Sequence, residues 1–191
     1  MAKMRIGNDT IQLKAVKKTC GMEGYGFTAN IYINKKKIGT YADYGDGAMG
    51  NCLFDSEDVE KQLRLLIVEY AEKHPNKYIV DMYKKEPDRY KEAMERTKKI
   101  FPYIPEEKLT MNVISSLEFD YIMEELYNLI EDEKAFKKVL KKGYGYLAYS
   151  EHKNSSIMYP ANWTEDQVRA DMKEEGLVIL YKSLNDFIIT I

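Results

Sequence analysis

The chain has 191 residues, 45% hydrophobic and 31% charged, a balance that supports a packed core and excludes the low-hydrophobicity, high-charge signature of disorder. Its formal charge is −2 with both signs mixed along the sequence, which argues against a general polyanion binder with a strongly basic surface but leaves room for a local basic patch. No apolar run reaches the roughly 18 residues a bilayer-crossing helix needs, so no membrane span is expected.

Length favours one compact domain over 1–191, with a subdivision into 1–101 and 106–191 as the alternative. Cys20 and Cys52 are the only cysteines, with no C-x-x-C pair and no signal peptide ahead of them, and read as reduced thiols of a cytoplasmic protein. Residues 10–16 alternate apolar and polar side chains and predict a first strand with one solvated face. Residues 25–33 alternate again, a polar Asn-Lys-Lys-Lys turn follows, and 38–44 return as the second arm of a hairpin. Beyond it, 43–50 form a loop with three glycines and two aspartates, Asp43 and Asp46. Asp-Gly is above all a turn former, and the spacing lacks the ordered ligand ladder of a calcium loop, so no metal is expected.

The run Gly-Phe-Thr-Ala-Asn-Ile-Tyr-Ile-Asn-Lys-Lys-Lys-Ile-Gly over 26–39, with the Asp-and-Gly-rich loop after it, resembles small accessory proteins of phages and related mobile elements. The resemblance centres on residues 24–54 and touches the C-terminal end of the chain. It implies a setting in host cytoplasm and carries over no catalytic residue and no cofactor.

Asp55 or Ser56 caps a predicted helix reaching about residue 73, in which Val59, Leu63, Leu66, Ile67 and Tyr70 form one apolar stripe. Glu57/Lys61, Glu60/Arg64 and Glu69/Lys73 stand at i,i+4 on its other side. Pro75 ends it, with His74 placed to meet the last carbonyls. Helices over 76–85 and 87–100 follow, the second opened by Pro87 and stopped by Pro102. Residues 108–114 alternate weakly and predict a short strand; Ser115 and Glu118 then read as a capping box for an amphipathic helix from Leu117. The acidic run 131–133 is expected to break that helix before Phe136, Val139 and Leu140 resume, and Gly143 to end it. A strand over 142–149, a helix capped by Thr164 and Gln167 and stopped by Gly176, an apolar strand over 177–181 and a last strand over 187–191 complete the chain. The fold class is therefore α+β: an N-terminal antiparallel β-meander, a central helical segment and a C-terminal strand-helix-strand.

Three classes of function are carried forward. The strand Lys-Gly-Tyr-Gly-Tyr-Leu-Ala-Tyr matches the octapeptide of the RNA-recognition fold at every position, which puts Tyr144 and Tyr146 under two bases and Lys142 on a phosphate. Its partner motif is missing: the nearest aromatic-aliphatic run, 31–34, lies far upstream, and a long helix replaces the strand expected before Lys142. A helix stop followed by a plain strand produces the same pattern. An enzyme reading has less to stand on, since His74 and His152 fit no ligand pattern and the acid pairs Glu124/Glu125 and Glu174/Glu175 read as solvated helix faces. Neighbouring helical positions diverge by about 100°, so adjacent acids do not converge on one atom.

The third class is a binding module, and sixteen tyrosines supply material for it. Tyr25, Tyr41, Tyr44 and Met49 border the glycine loop; Met158, Tyr159 and Trp163 crowd a second loop around Pro160. The same residues would also serve to cover a core edge. The expected function is non-catalytic, stoichiometric contact with a protein partner, a host protein or defence complex, with single-stranded RNA binding through Lys142, Tyr144 and Tyr146 as the alternative.

Overall fold

The structure, a computed structural model, describes residues 1–191. Strands β1 (Lys3–Ile6), β2 (Asp9–Cys20), β3 (Tyr25–Ile33), β4 (Lys36–Ala42) and β5 (Asn51–Phe54) come first. Helices α1 (Glu57–Lys73), α2 (Lys77–Lys85), α3 (Pro87–Ile100), α4 (Met111–Ile114) and α5 (Phe119–Lys141) follow. The chain ends with β6 (Tyr144–Ser150), β7 (Ser156–Pro160), α6 (Glu165–Glu174), β8 (Leu177–Tyr181) and β9 (Ile188–Thr190). This is an α+β protein. It divides into two compact units, Met4–Tyr127 with Thr190–Ile191, and Met1–Lys3 with Asn128–Ile189, so the boundary falls inside α5 and not at the 102–105 connector.

In the larger unit the sheet order is β5-β4-β3-β2-β1-β9, an antiparallel meander with the last strand of the chain added at its edge. Period-two alternation sets its two faces: Phe27, Ala29, Ile31 and Ile33 of β3 and Ile11 and Leu13 of β2 are buried, while Thr28, Asn30 and Tyr32 are half-buried on the other side. The hairpin between β3 and β4 turns at Asn34 and Lys35, both at positive φ (50° and 72°), the backbone a two-residue turn requires to match the strand twist. Asn34 also braces the preceding strand, β2, its Oδ1 accepting from Thr10 N at 2.9 Å. The final strand finds its partner at the far end of the chain: Ile191 N donates to Arg5 O at 3.0 Å and Gly7 N to Ile191 O at 3.2 Å.

Helix α1 begins where the capping signal placed it, with Ser56 Oγ accepting from Val59 N. Its inner face buries Leu63, Leu66, Ile67, Val68, Tyr70 and Ala71. Val68 and Ala71 join Tyr83, Ile104, Leu109, Val113, Ile114 and Leu117 in one apolar cluster. Residues 108–114 differ from expectation. The weak alternation there is not a strand but a 3₁₀ turn, Glu106–Lys108, followed by α4, which Thr110 caps by accepting from Val113 N. Val113 and Ile114, adjacent in sequence, are both buried by this helical turn, which a strand with one solvated face would not allow. The expected Ser115 and Glu118 capping box is absent as well: Ser115 Oγ donates back to Asn112 O at 2.7 Å, and α5 starts at Phe119.

In the smaller unit a three-stranded antiparallel sheet has the order β7-β6-β8, with the tyrosine-rich β6 at its centre. Thr164 and Gln167 form the capping box of α6, and Val168 and Met172 of that helix pack on Ala148, Tyr159 and Leu177 of the sheet. Helix α5 is unbroken through 131–133, where Asp132 and Glu133 have partners beyond the helix as well as Lys137 within it. Asp132 accepts from Tyr181 Oη at 2.6 Å and Lys153 Nζ at 2.5 Å. Glu133 accepts from Ala2 N at 2.7 Å, and its other oxygen lies 2.9 Å from the Met1 amino group and 2.7 Å from Lys137 Nζ. Burial alone would raise the Glu133 pKa; hydrogen bonds from Lys137, the amino terminus and Ala2 outweigh it and leave the carboxyl below its ordinary value. The stability this contributes is fully present above the unfolded-chain carboxylate pKa and is lost as pH falls through the depressed folded value. Gly143, at φ +85°, ends the helix where expected.

Beyond the acidic run, α5 re-enters the core at Phe136, which is fully buried with its ring 5.7 Å from that of Phe187, whereas Leu140 remains 41% exposed. Phe136→Ala should therefore cost about 3–5 kcal/mol in urea denaturation and Leu140→Ala less than about 1 kcal/mol. Comparable losses at both positions would contradict the burial pattern.

Candidate functional site

The glycine loop of the larger unit is built from its own backbone. Asp43 Oδ1 accepts from Gly45 N at 2.8 Å and Asp46 Oδ1 from Ala48 N at 3.2 Å, so both aspartates close local turns. The turn between β2 and β3 lies against this loop, Glu23 N donating to Gly45 O at 3.0 Å. The two turns carry large apolar side chains into solvent: Met22 is 99% exposed, Tyr25 85%, Tyr44 61% and Met49 65%. Leu53 of β5, equally exposed, lines one shallow groove of about 340 Å³ with Tyr44.

Tyr41 borders that groove but is not among the exposed side chains. Alternation along β4 turns it inward, where it is 1% exposed and packs 4.8 Å from the Phe27 ring. Its hydroxyl donates to Asp120 Oδ1 at 2.8 Å, and the second oxygen of Asp120 accepts from Gly50 N at 3.0 Å. A Cβ at Gly50 would sit 2.1 Å from the Tyr41 hydroxyl oxygen, so only glycine permits this closure. Burial, then the hydrogen bond and charge of Asp120, push the Tyr41 pKa far above the ordinary tyrosine value.

The second expected cluster lies in the smaller unit and also divides. Met158 and Tyr159 sit on a strand, β7, and not on a loop, so they point to opposite sides: Met158 is 38% exposed, Tyr159 only 3%. Tyr159 Oη donates to Asp171 Oδ2 at 2.9 Å, and burial followed by this carboxylate pushes its pKa up to about 12. Trp163 is 36% exposed with its ring 5.5 Å from that of Tyr159. In the octapeptide, Lys142 is exposed and Tyr144 and Tyr146 are half-buried. Tyr146 packs on the cluster that α6 covers, and its hydroxyl donates to Trp163 O at 3.0 Å. The sheet has three strands where the RNA-recognition fold has four.

The acid pair read as a solvated face also separates. Glu124 is exposed, whereas Glu125 turns inward: Tyr70 Oη donates to its Oε1 at 2.5 Å, while its Oε2 is buried without a partner. His74 meets the carbonyls ending α1 through its backbone, its N–H donating to Tyr70 O at 3.0 Å, while its ring stacks on that of Tyr70 at 4.5 Å with Nδ1 buried and unpartnered. Burial raises the Glu125 pKa; the Tyr70 hydrogen bond and the nearby His74 work against that without reversing it. Cys20 and Cys52 are both free; burial first, with Asp120 adding, pushes the Cys52 thiol up to about 12, far from a thiolate nucleophile. No group of three or more His, Cys, Asp and Glu side chains is arranged to hold a metal, and no helix is long and apolar enough to cross a membrane.

One cleft had no counterpart in the sequence reading. About 510 Å³ in volume, it lies among α3, Phe101 and the 114–118 segment and is lined by Arg64, Arg89 and Arg96 with Glu92 and Glu118 between them. Arg64 is clamped there: its guanidinium lies 4.2 Å from the Phe101 ring and 3.9 Å from that of Phe119, and it donates to Glu60 and to Leu117 O. The spacing of Arg89 and Arg96, seven positions apart on one helix face, was the available signal.

Because burial raises the Glu125 pKa, its ionisation subtracts from stability as pH rises, and the Tyr70 hydroxyl offsets part of that loss. Tyr70→Phe should therefore destabilise by about 1–3 kcal/mol at pH 8 and by distinctly less at pH 4, as read by urea denaturation; a loss independent of pH would contradict the assignment. Comparisons with protein-family models, with curated proteins and with solved structures return no match for this chain.

Proposed function

We propose that the chain acts by stoichiometric contact with a protein partner, through the edge of the larger unit formed by Met22, Tyr25, Tyr44 and Met49. The observation that carries this reading is their exposure. Four large apolar side chains, 61–99% exposed, stand on or beside two turns joined by the backbone hydrogen bond from Glu23 N to Gly45 O. A soluble surface scatters single apolar residues, whereas contiguous ones rimmed by polar loops mark contact sites. Tyrosine brings large area with few rotatable bonds, and methionine adapts to irregular pockets.

The resemblance of residues 24–54 to phage and mobile-element proteins points to a host protein, with defence complexes the first to try. The chain's own groove beside Tyr44 and Leu53 is shallow, which favours a partner that supplies the pocket. Trp163, 36% exposed beside α6 in the other unit, is a secondary site on this reading.

The test compares proteins retained from host lysate by the wild type, by Tyr25→Ser/Tyr44→Ser/Met49→Ser and by Tyr78→Ser, which alters a 79% exposed tyrosine on α2. The reading expects a protein retained by the wild type and Tyr78→Ser but lost with the triple variant, its Kd weakened about 100-fold, as removal of several interface anchors produces. Identical retention by all three would overturn it.

A further inference from the structure

In the smaller unit the C-terminal turns of α5 and the β6 and β7 ribbon enclose an open groove of about 570 Å³. Its helical wall carries Lys134, Lys137, Lys138 and Lys141, with Lys142 just past the helix end, and all five are exposed. The one acid lining it is Glu131. Lys134 lies 2.7 Å from Glu131 and Lys137 lies 2.7 Å from Glu133, but Lys138, Lys141 and Lys142 make no ion pair. Chain order explains why: the positions three and four before each of them hold only lysine, alanine or valine, so no acid is within helical reach. Lys134/Lys138, Lys137/Lys141 and Lys138/Lys142 are like-charge i,i+4 pairs, each unfavourable; the negative C-terminal end of the helix dipole offsets this only in part. The floor is different in kind, with buried Leu147, half-buried Tyr149 and exposed Met158. These are the outward alternation of β6 and β7, opposite the face that α6 covers. Lys142 lines this groove; Tyr144 and Tyr146 do not.

We propose that this groove binds a single-stranded nucleic acid, with the three unpaired ammonium groups on phosphates and Tyr149 and Met158 against the bases. An anion is what relieves three crowded lysines, and a groove with a cationic wall and an aromatic floor matches a strand that carries its charge along one side and its rings along the other. Between Lys134 and Lys142 the helix rises about 12 Å, the length of roughly three to four stacked nucleotides at about 3.4 Å each. The site is independent of the protein-binding edge, which belongs to the other unit.

Fluorescence anisotropy with a labelled twelve-residue oligouridylate tests this on the full chain. Three phosphate contacts predict a slope of log affinity on log salt of about −2, hence about a 20-fold loss between 50 and 200 mM salt. Lys138→Glu/Lys141→Glu/Lys142→Glu should weaken binding at least 10-fold. Lys35→Glu/Lys36→Glu/Lys37→Glu, on the exposed turn and start of β4, makes the same change in net charge and should leave it unaltered. An abasic strand of equal length should bind more weakly at the same slope. No binding at 50 mM salt, equal loss in both triple variants, or equal affinity for the abasic strand would overturn the proposal. So would binding of polyglutamate or anionic vesicles, sensitive to the same substitutions, without binding of the oligonucleotide.

Discussion

Helix α5 must bury one side of itself, and that side contains carboxylates. An ionised carboxylate without partners costs several kcal/mol on leaving water, so each one needs a donor at the place where it is buried. All of the donors but Lys137 come from outside the helix. Asp120 receives the Tyr41 hydroxyl and the Gly50 amide; Glu125 receives the Tyr70 hydroxyl. Asp132 receives Tyr181 and Lys153, and Glu133 receives Ala2 N, the Met1 amino group and Lys137. Three of these donors are tyrosines whose ionisation is suppressed, by burial first and by the carboxylate they serve second. In each unit the residues that hold the sheet or the other helices to α5 are thus partly chosen by its charge.

That arrangement decides what remains for recognition. The inward carboxylates of α5 are engaged with tyrosines and amides, and the lysines they also meet are Lys137 and Lys153. Lys138, Lys141 and Lys142, with no acid three or four positions before them, project from the end of α5 without acids, against a floor of aromatic and sulphur-containing side chains. In the larger unit, Tyr41 and Asp120 draw the glycine loop inward at Gly50, and the part of the loop beyond that anchor carries Tyr44 and Met49 outward. The anchored residues and the exposed ones differ by position in one short segment. This is how a tyrosine-rich sequence yields both buried hydrogen-bond donors and surface aromatics.

Local chemistry was legible in the sequence and distant partnership was not. Ser56, Pro87, Thr164 with Gln167, and Gly143 mark helix ends through backbone rules that act within four residues, and the helices start or stop at them. The hairpin of β3 and β4 follows from period-two alternation, and the strand β8 from its short apolar run. The failures have separate causes. An acidic run reads as a helix break only if its charges stay unpaired, and the partners of Asp132 and Glu133 lie at the chain's start and beyond its next turn. Tyr41 and Tyr159 look like surface material until alternation on their strands turns them inward. Residues 108–114 were misassigned because a four-residue helix leaves too short a trace to separate a period of 3.6 from one of 2. The basic groove was written in the sequence as a missing signal, the absence of acids three or four positions before its last lysines.

The central claim is that the inward carboxylates of α5 are held by specific donors rather than by solvent, and site-resolved NMR titration of the side-chain carboxyl carbons measures it directly. On this account Glu133 titrates below the ordinary glutamate value, held down by Lys137, the amino terminus and Ala2, while Glu125 titrates above it, raised by burial that Tyr70 only partly offsets. Both carboxyls titrating together at the value of an exposed glutamate would contradict it.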